Sequence, residues 1–250
     1  MAATPPRREL RKKNWKQFIR NKINNPAPYP PPGLLGSPSG LAGNLTSKSL
    51  EKIFSTICSL HSPLPLSFLD IGSGEGCPIV AGLLEFGFSS CYGVEICKEV
   101  AEDSVRSIAS FLPPDFGVPW EIKAGDIEMY TILPPHVTVV YSFWTGMPCA
   151  TMAHILHLVV RSPSVQLLAV SVVRRGDANF LIGFLKRHCN PRSISVKYGK
   201  SSHTFLICDF HKVMTAGLKV SLVDLCLSLG SFSKVGASLP FSSYPLEFSK

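Results

Sequence analysis

Between residues 66 and 210 the chain alternates short apolar runs with amphipathic ones, and this alternation limits the possible folds more than any other feature. The segments "LSFLDIG" (66–72), "CYGVEI" (91–96), "WEIKAGD" (120–126), "VTVVYSFW" (137–144) and "VQLLAVSVV" (165–173) read as strands. Between them, "PIVAGLLEFG" (78–87, ended by Gly87), "KEVAEDSVRSIASFL" (98–112, stopped by Pro113), "CATMAHILHLVV" (149–160) and "DANFLIGFLKRHC" (177–189) read as helices. Strand, helix, strand in succession implies right-handed crossovers and a parallel sheet covered on both faces. "SISVKYG" (193–199) and "HTFLICDF" (203–210) are separated by hairpin spacing, which adds an antiparallel edge. The expected class is α/β: a Rossmann-like parallel sheet with helices on both faces and a C-terminal antiparallel hairpin.

The folded domain is expected over residues 44–210. Its first helix spans 47–59, capped by Thr46 or Ser47, with Leu50, Ile53, Phe54 and Ile57 on one face. Residues 25–43 are rich in Pro and Gly and read as an extended linker. Residues 211–250 form an extension of unknown role, in which 218–229 fits a strand or a short buried helix.

The charge is unevenly placed. Residues 1–22 carry eight basic side chains against Glu9 alone, a net +7 of the chain's +8. Residues 1–24 are therefore expected to form a disordered basic arm, remote from any site in the folded domain. Such an arm suits nucleic acid, through residues 7–22, or an acidic protein surface or import receptor. On this view its removal leaves ligand binding by the folded domain unchanged. No apolar run reaches the roughly 18 residues that cross a membrane, and no apolar h-region of a secretory signal follows the basic N-terminus. The eight cysteines form no CxxC pair and read as reduced buried thiols, with no metal site, in a nuclear or cytoplasmic protein.

The chemistry concentrates in "FLDIGSGEGCP" (68–78). Gly72, Gly74 and Gly76 follow the first strand and open the next helix, at the strand end where ligands bind in open parallel sheets. Glycine allows left-handed backbone there and close approach of a ligand. The spacing is G-x-G-x-G, unlike the G-x-G-x-x-G of pyrophosphate-binding turns. Asp70 would repel a phosphate but accept from an ammonium or from N–H groups. Glu95 ends the second strand, where an acid takes ribose hydroxyls. Asp126 ends the third, within reach of an adenine amino group. Asp70, Gly72, Ser73, Gly74, Gly76, Glu95 and Asp126 thus form a candidate cofactor site for a ligand with ribose, adenine and a cation but no phosphate, which describes S-adenosyl-L-methionine.

"FLDIGSGEG", "YGVEI", "AGD" and the terminal hairpin resemble the class I S-adenosylmethionine-dependent methyltransferases over residues 44–210. The nearest likeness is to the non-SET, telomeric-silencing-disruptor-like histone lysine methyltransferases, where a short polar element precedes a helix, then D-x-G-S-G-x-G, then G-x-E. Asn44 stands here where that family has an acid, and Cys77 where it usually has Gln. The resemblance implies a methyltransferase whose acceptor lies against the loop after strand four. In this chain that loop contains Ser142, Phe143 and Trp144, the candidate catalytic residues. The two aromatics are expected to wall a narrow channel that desolvates a lysine or arginine side chain. No chain nucleophile is needed, because alignment of donor and acceptor supplies much of the acceleration. The implied function is methyl transfer to a macromolecule, protein lysine (histone or nucleosome) first. Two alternatives stand beside it: a nucleic-acid methyltransferase, and a catalytically silent cofactor-binding module.

Overall fold

The computed structural model describes residues 6–26 (side chains from Trp15), 44–60, 65–172, 179–198, 201–210, 246 and 248. The elements are α1 (Pro6–Asn24), α2 (Ser47–Leu60), β1 (Ser67–Ile71), α3 (Cys77–Ala81, continued by a π-helical turn Gly82–Phe86), β2 (Ser90–Glu95), α4 (Lys98–Phe111), β3 (Trp120–Ala124), a 3-10 turn (Ile127–Met129), β4 (Val139–Ser142), α5 (Cys149–Arg161), β5 (Leu167–Ser171), α6 (Asn179–Cys189), β6 (Arg192–Tyr198) and β7 (Ser201–Asp209). Every strand and helix expected between 47 and 210 is present, with ends shifted by one or two residues. Residues 27–43 and most of 211–250, including 218–229, lie outside the described residues.

The strands form one sheet in the order β3-β2-β1-β4-β5-β7-β6. The first five are mutually parallel; β7 runs antiparallel to both β5 and β6. The order reverses between β1 and β4, which makes the ends of those two strands the topological switch point.

Period-2 alternation divides the core between the two faces of the sheet. Phe68, Val139, Tyr141, Leu167, Ala169, Phe205 and Ile207 pack with residues of α1 to α4. Leu69, Ile71, Val140, Leu168, Val170, Leu206 and Cys208 pack with residues of α5 and α6. With both faces covered, the central strands are apolar at nearly every position, as parallel sheets require.

The basic arm needs correction. Residues 6–24 are helical, and Trp15, Phe18 and Ile19 are buried in the core. These three stand at i, i+3 and i+4, so they form one stripe. Trp15 meets Phe86 edge-on at 6.5 Å, and Phe18 lies 5.0 Å from Phe111. Burying these side chains offsets the ordering entropy that a solvated arm would keep. Among the described residues, no helix is long and apolar enough to cross a membrane. The seven described cysteines are free thiols, five of them buried.

Candidate functional site

Asp70 lies in β1 between Gly93 of β2 and Tyr141 of β4. It is 1% exposed, and neither carboxylate oxygen has a hydrogen-bond partner among the described residues. Burial, and secondarily the charge of Glu95, push its carboxyl well above the usual range.

The chain then turns through Gly72, Gly74 and Gly76, with φ of 79°, 50° and 72°. These are left-handed values that L side chains rarely adopt. Gly76 is also closed in by packing, since a Cβ there would lie 2.6 Å from Ile108 Cδ1. The turn is tied to β2, because the Gly72 and Ser73 N–H groups donate to the Val94 carbonyl at 2.9 and 3.1 Å. Glu95 Oε2 accepts from the Gly74 N–H at 2.8 Å, and Oε1 accepts from the Cys97 N–H at 3.0 Å. Burial raises the Glu95 carboxyl, and these N–H groups oppose the shift.

Gly125 N–H donates to the Glu95 carbonyl at 2.9 Å, placing Asp126 beside the end of β2. Asp126 is half-buried and caps the following 3-10 turn, accepting from the Glu128 N–H at 2.9 Å. Three acids therefore stand at the C-terminal ends of three adjacent strands. Ile96 and Met129, which follow two of them closely, are exposed apolar side chains.

A cleft opens at the switch point, lined by Asn44, Leu45, Asp70, Gly72, Ser73, Gly74, Pro78, Tyr141, Phe143, Thr145 and Tyr198. Four buried polar atoms in it have no partner among the described residues: both Asp70 oxygens, Ser73 Oγ and Thr145 Oγ1. Buried polar groups are nearly always hydrogen-bonded, so such a cluster marks a place for a polar ligand. Among the described residues no group of His, Cys, Asp or Glu converges to hold a metal ion.

The three candidate catalytic residues are separated. Phe143 lines the cleft, stacked on Tyr198 at 5.1 Å and 27° and flanked by His203 at 5.5 Å. Trp144 points to the opposite face and is fully buried in the core with α5. Ser142 is buried too, its hydroxyl donating to the Ile71 carbonyl at 2.9 Å, and neither it nor Trp144 lines the cleft. Phe143 and Trp144 follow the end of β4 and continue its alternation, Phe143 packing on the face of Tyr141 and Trp144 in the opposite cluster. The aromatic side chains that line the cleft are Tyr141, Phe143 and Tyr198.

Tyr198 is a cleft residue to which the sequence alone does not point. Tyr198 ends the edge strand, and its backbone bridges Leu45. Ser49 fixes this junction from α2: its hydroxyl donates to the Lys197 carbonyl at 3.0 Å and accepts the Lys197 N–H at 2.8 Å. The convergence joins residues about 150 positions apart, beyond any local signal.

No protein-family model matches the chain, and a search of curated proteins finds no match. Solved structures do match in fold. Magnesium protoporphyrin IX methyltransferase (ChlM) from Synechocystis PCC 6803, with bound SAM, gives a TM-score of 0.51 at 11% identity, covering 84% of this chain and 99% of that one. The methyltransferase domain of bacterial CtHen1 gives 0.52 at 12% identity, covering 66% and 100%. A Pyrococcus horikoshii protein described as a candidate RNA methyltransferase gives 0.51 at 13% identity, covering 78% and 96%. At these identities the likeness is one of backbone: the chain has the Rossmann-like fold that these methyltransferases share.

Proposed function

We propose that the chain is an S-adenosyl-L-methionine-dependent methyltransferase acting on a macromolecule, with a lysine side chain of a histone-like protein as the acceptor. One observation carries the reading: four partnerless buried polar atoms converge on one cleft at the switch point. The Asp70 carboxylate suits the ammonium of an amino-acid moiety, and the glycine turn admits that moiety against the backbone. Glu95 would accept from ribose hydroxyls with the lone pairs that Gly74 and Cys97 leave. Ile96 and Met129 offer apolar surface to an adenine ring, and Asp126 a carboxylate to its amino group.

When bound, the cofactor supplies a methyl group activated on a sulfonium. The chain's own work is positioning. Phe143 and Tyr198 hold a cationic side chain by its attraction to the ring faces and strip water from it. The acceptor ammonium releases its proton to solvent before it reacts. Alignment of this kind is worth roughly 7–11 kcal/mol.

The test has two stages. Calorimetry with S-adenosylmethionine and S-adenosylhomocysteine comes first; no heat with either removes the proposal. Label transfer to histones, free RNA and free DNA in parallel comes next. Label in histone lysine supports the acceptor class, and Phe143→Ala then lowers kcat while cofactor affinity holds. Label in RNA or DNA alone favours the second reading, a nucleic-acid methyltransferase, which the +7 charge of residues 1–22 supports. Binding without transfer to any of them leaves a silent cofactor-binding module.

A further inference from the structure

We propose that Lys22 of α1 is a positioning residue that holds the glycine turn in place through Glu75. Its link to cofactor affinity rests on the reading above. Trp15, Phe18, Ile19 and Lys22 stand at i, i+3, i+4 and i+7, so the buried apolar stripe of α1 continues into a cation. The Lys22 side chain is only 14% exposed. Its ammonium lies 3.8 Å from Glu75 Oε1 and 3.3 Å from Asp103 Oδ2, and donates to Ser107 Oγ at 3.0 Å. Phe18 places a ring face 6.0 Å from the same nitrogen.

Glu75 sits between Gly74 and Gly76 and is itself buried. A buried carboxylate needs charged or hydrogen-bonding partners to offset its lost hydration. Lys22 faces one oxygen, while Asn44, a cleft residue, donates to the other at 2.5 Å. The backbone around it is held independently: Ser104 Oγ of α4 donates to the Gly74 carbonyl at 2.7 Å, and Glu95 takes the Gly74 N–H. The turn is thus fixed from β2, from α4, from the cleft wall and from α1. Lys22 is absent from the cleft lining, so it acts through Glu75 and the turn.

This arrangement makes α1 part of the apparatus that shapes the cofactor turn. The turn's conformation is left-handed at three positions, so it depends on the contacts that hold it. A neutral side chain at position 22 removes the ammonium that faces Glu75 Oε1, while Asn44 still donates to Oε2, and the carboxylate gains by shifting toward water. Movement of Glu75 carries Gly74 and Gly76 with it.

The test uses full-length wild type, Lys22→Met, Lys22→Arg and Lys22→Met/Glu75→Gln. Ligand-free hydrogen exchange is read at the Gly72, Ser73, Gly74 and Gly76 amides, all hydrogen-bonded in the structure. S-adenosylhomocysteine titrations and unfolding midpoints accompany it. Lys22→Met is expected to speed exchange at the turn and to weaken the ligand about tenfold. Lys22→Arg restores most of both, and adding Glu75→Gln to Lys22→Met costs little more. The proposal is overturned if turn exchange in Lys22→Met equals wild type. It is also overturned if exchange rises evenly through α1 and the core, as a purely structural anchor would require. Failure of the wild-type chain to bind the ligand counts against the cofactor reading alone, and the exchange comparison still decides the clamp.

Discussion

Glu95 Oε2 accepts the Gly74 N–H at 2.8 Å, so the acid that ends β2 also holds the middle of the glycine turn after β1. Its role is therefore double. Glu95→Ala removes an acceptor from the buried Cys97 N–H, at about 1–3 kcal/mol, and from the part-buried Gly74 N–H, at less. On the proposed function it also removes an acceptor for the ribose, worth about tenfold to over a hundredfold in affinity. Glu95→Gln, which keeps one oxygen, should lose less of both. Urea unfolding alongside cofactor titration separates the two effects. An unchanged affinity in Glu95→Ala would place the ribose elsewhere.

Asp70 predicts a conflict between stability and binding. Its carboxyl is raised well above normal, by burial first and then by Glu95. An acid raised in the folded state contributes stability that is present below its unfolded pKa, about 3.9, and lost as pH rises through the folded value. Asp70→Asn should therefore make the ligand-free protein more stable than wild type at neutral pH, with the advantage shrinking as pH falls. The same variant should bind the cofactor about tenfold to over a hundredfold more weakly. In the wild type, affinity should rise with pH through the Asp70 titration. Ligand titrations over a series of pH values measure the rise, and equal affinity in Asp70→Asn and wild type would remove Asp70 as the ammonium's partner.

Gly93 predicts why β2 needs a glycine opposite Asp70. A Cβ there would lie 2.8 Å from Ile79 Cδ1 and 2.8 Å from both Cβ and Oγ of Ser73. The turn packs directly on this backbone. Gly93→Ala should cost about 1–3 kcal/mol as overpacking and should weaken the cofactor by displacing Ser73. Stability and affinity both equal to wild type would mean that the turn has room to retreat.

Trp15 predicts the fate of truncations. It is fully buried, and Trp15→Ala should destabilise the protein by about 3–5 kcal/mol in chemical denaturation. Deleting residues 1–24 removes Trp15, Phe18, Ile19 and Lys22 together. The expectation of unchanged cofactor affinity, drawn from the charge pattern, gives way to loss of both stability and affinity. A truncated chain as stable as the full one would show that α1 docks without consequence.

Much of this could be read from local signals. The five parallel strands and the helices between them follow from runs whose period is set by backbone geometry. The acids at the ends of β1, β2 and β3 follow once those strands are placed. Even the inner position of β7 has a sequence correlate: Phe205, Leu206, Ile207 and Cys208 form an unbroken buried run, whereas β6 alternates toward solvent at the edge. The separation of Phe143 from Trp144 was also legible, because the two continue the alternation of the strand they follow.

Other features required the assembled chain. In α1, eight basic side chains within residues 1–22 obscured a stripe of only three apolar residues, and composition reads average charge rather than the face that docks. Tyr198 and Asn44 meet Phe143 and Glu75 only because β6 returns beside the start of α2. Local sequence determines which segments become strands and turns, since φ/ψ preferences and hydrophobic period act over a few residues. Which side chains share the cleft was decided by tertiary packing, where burial of both faces of one sheet brings together groups that no short-range force connects.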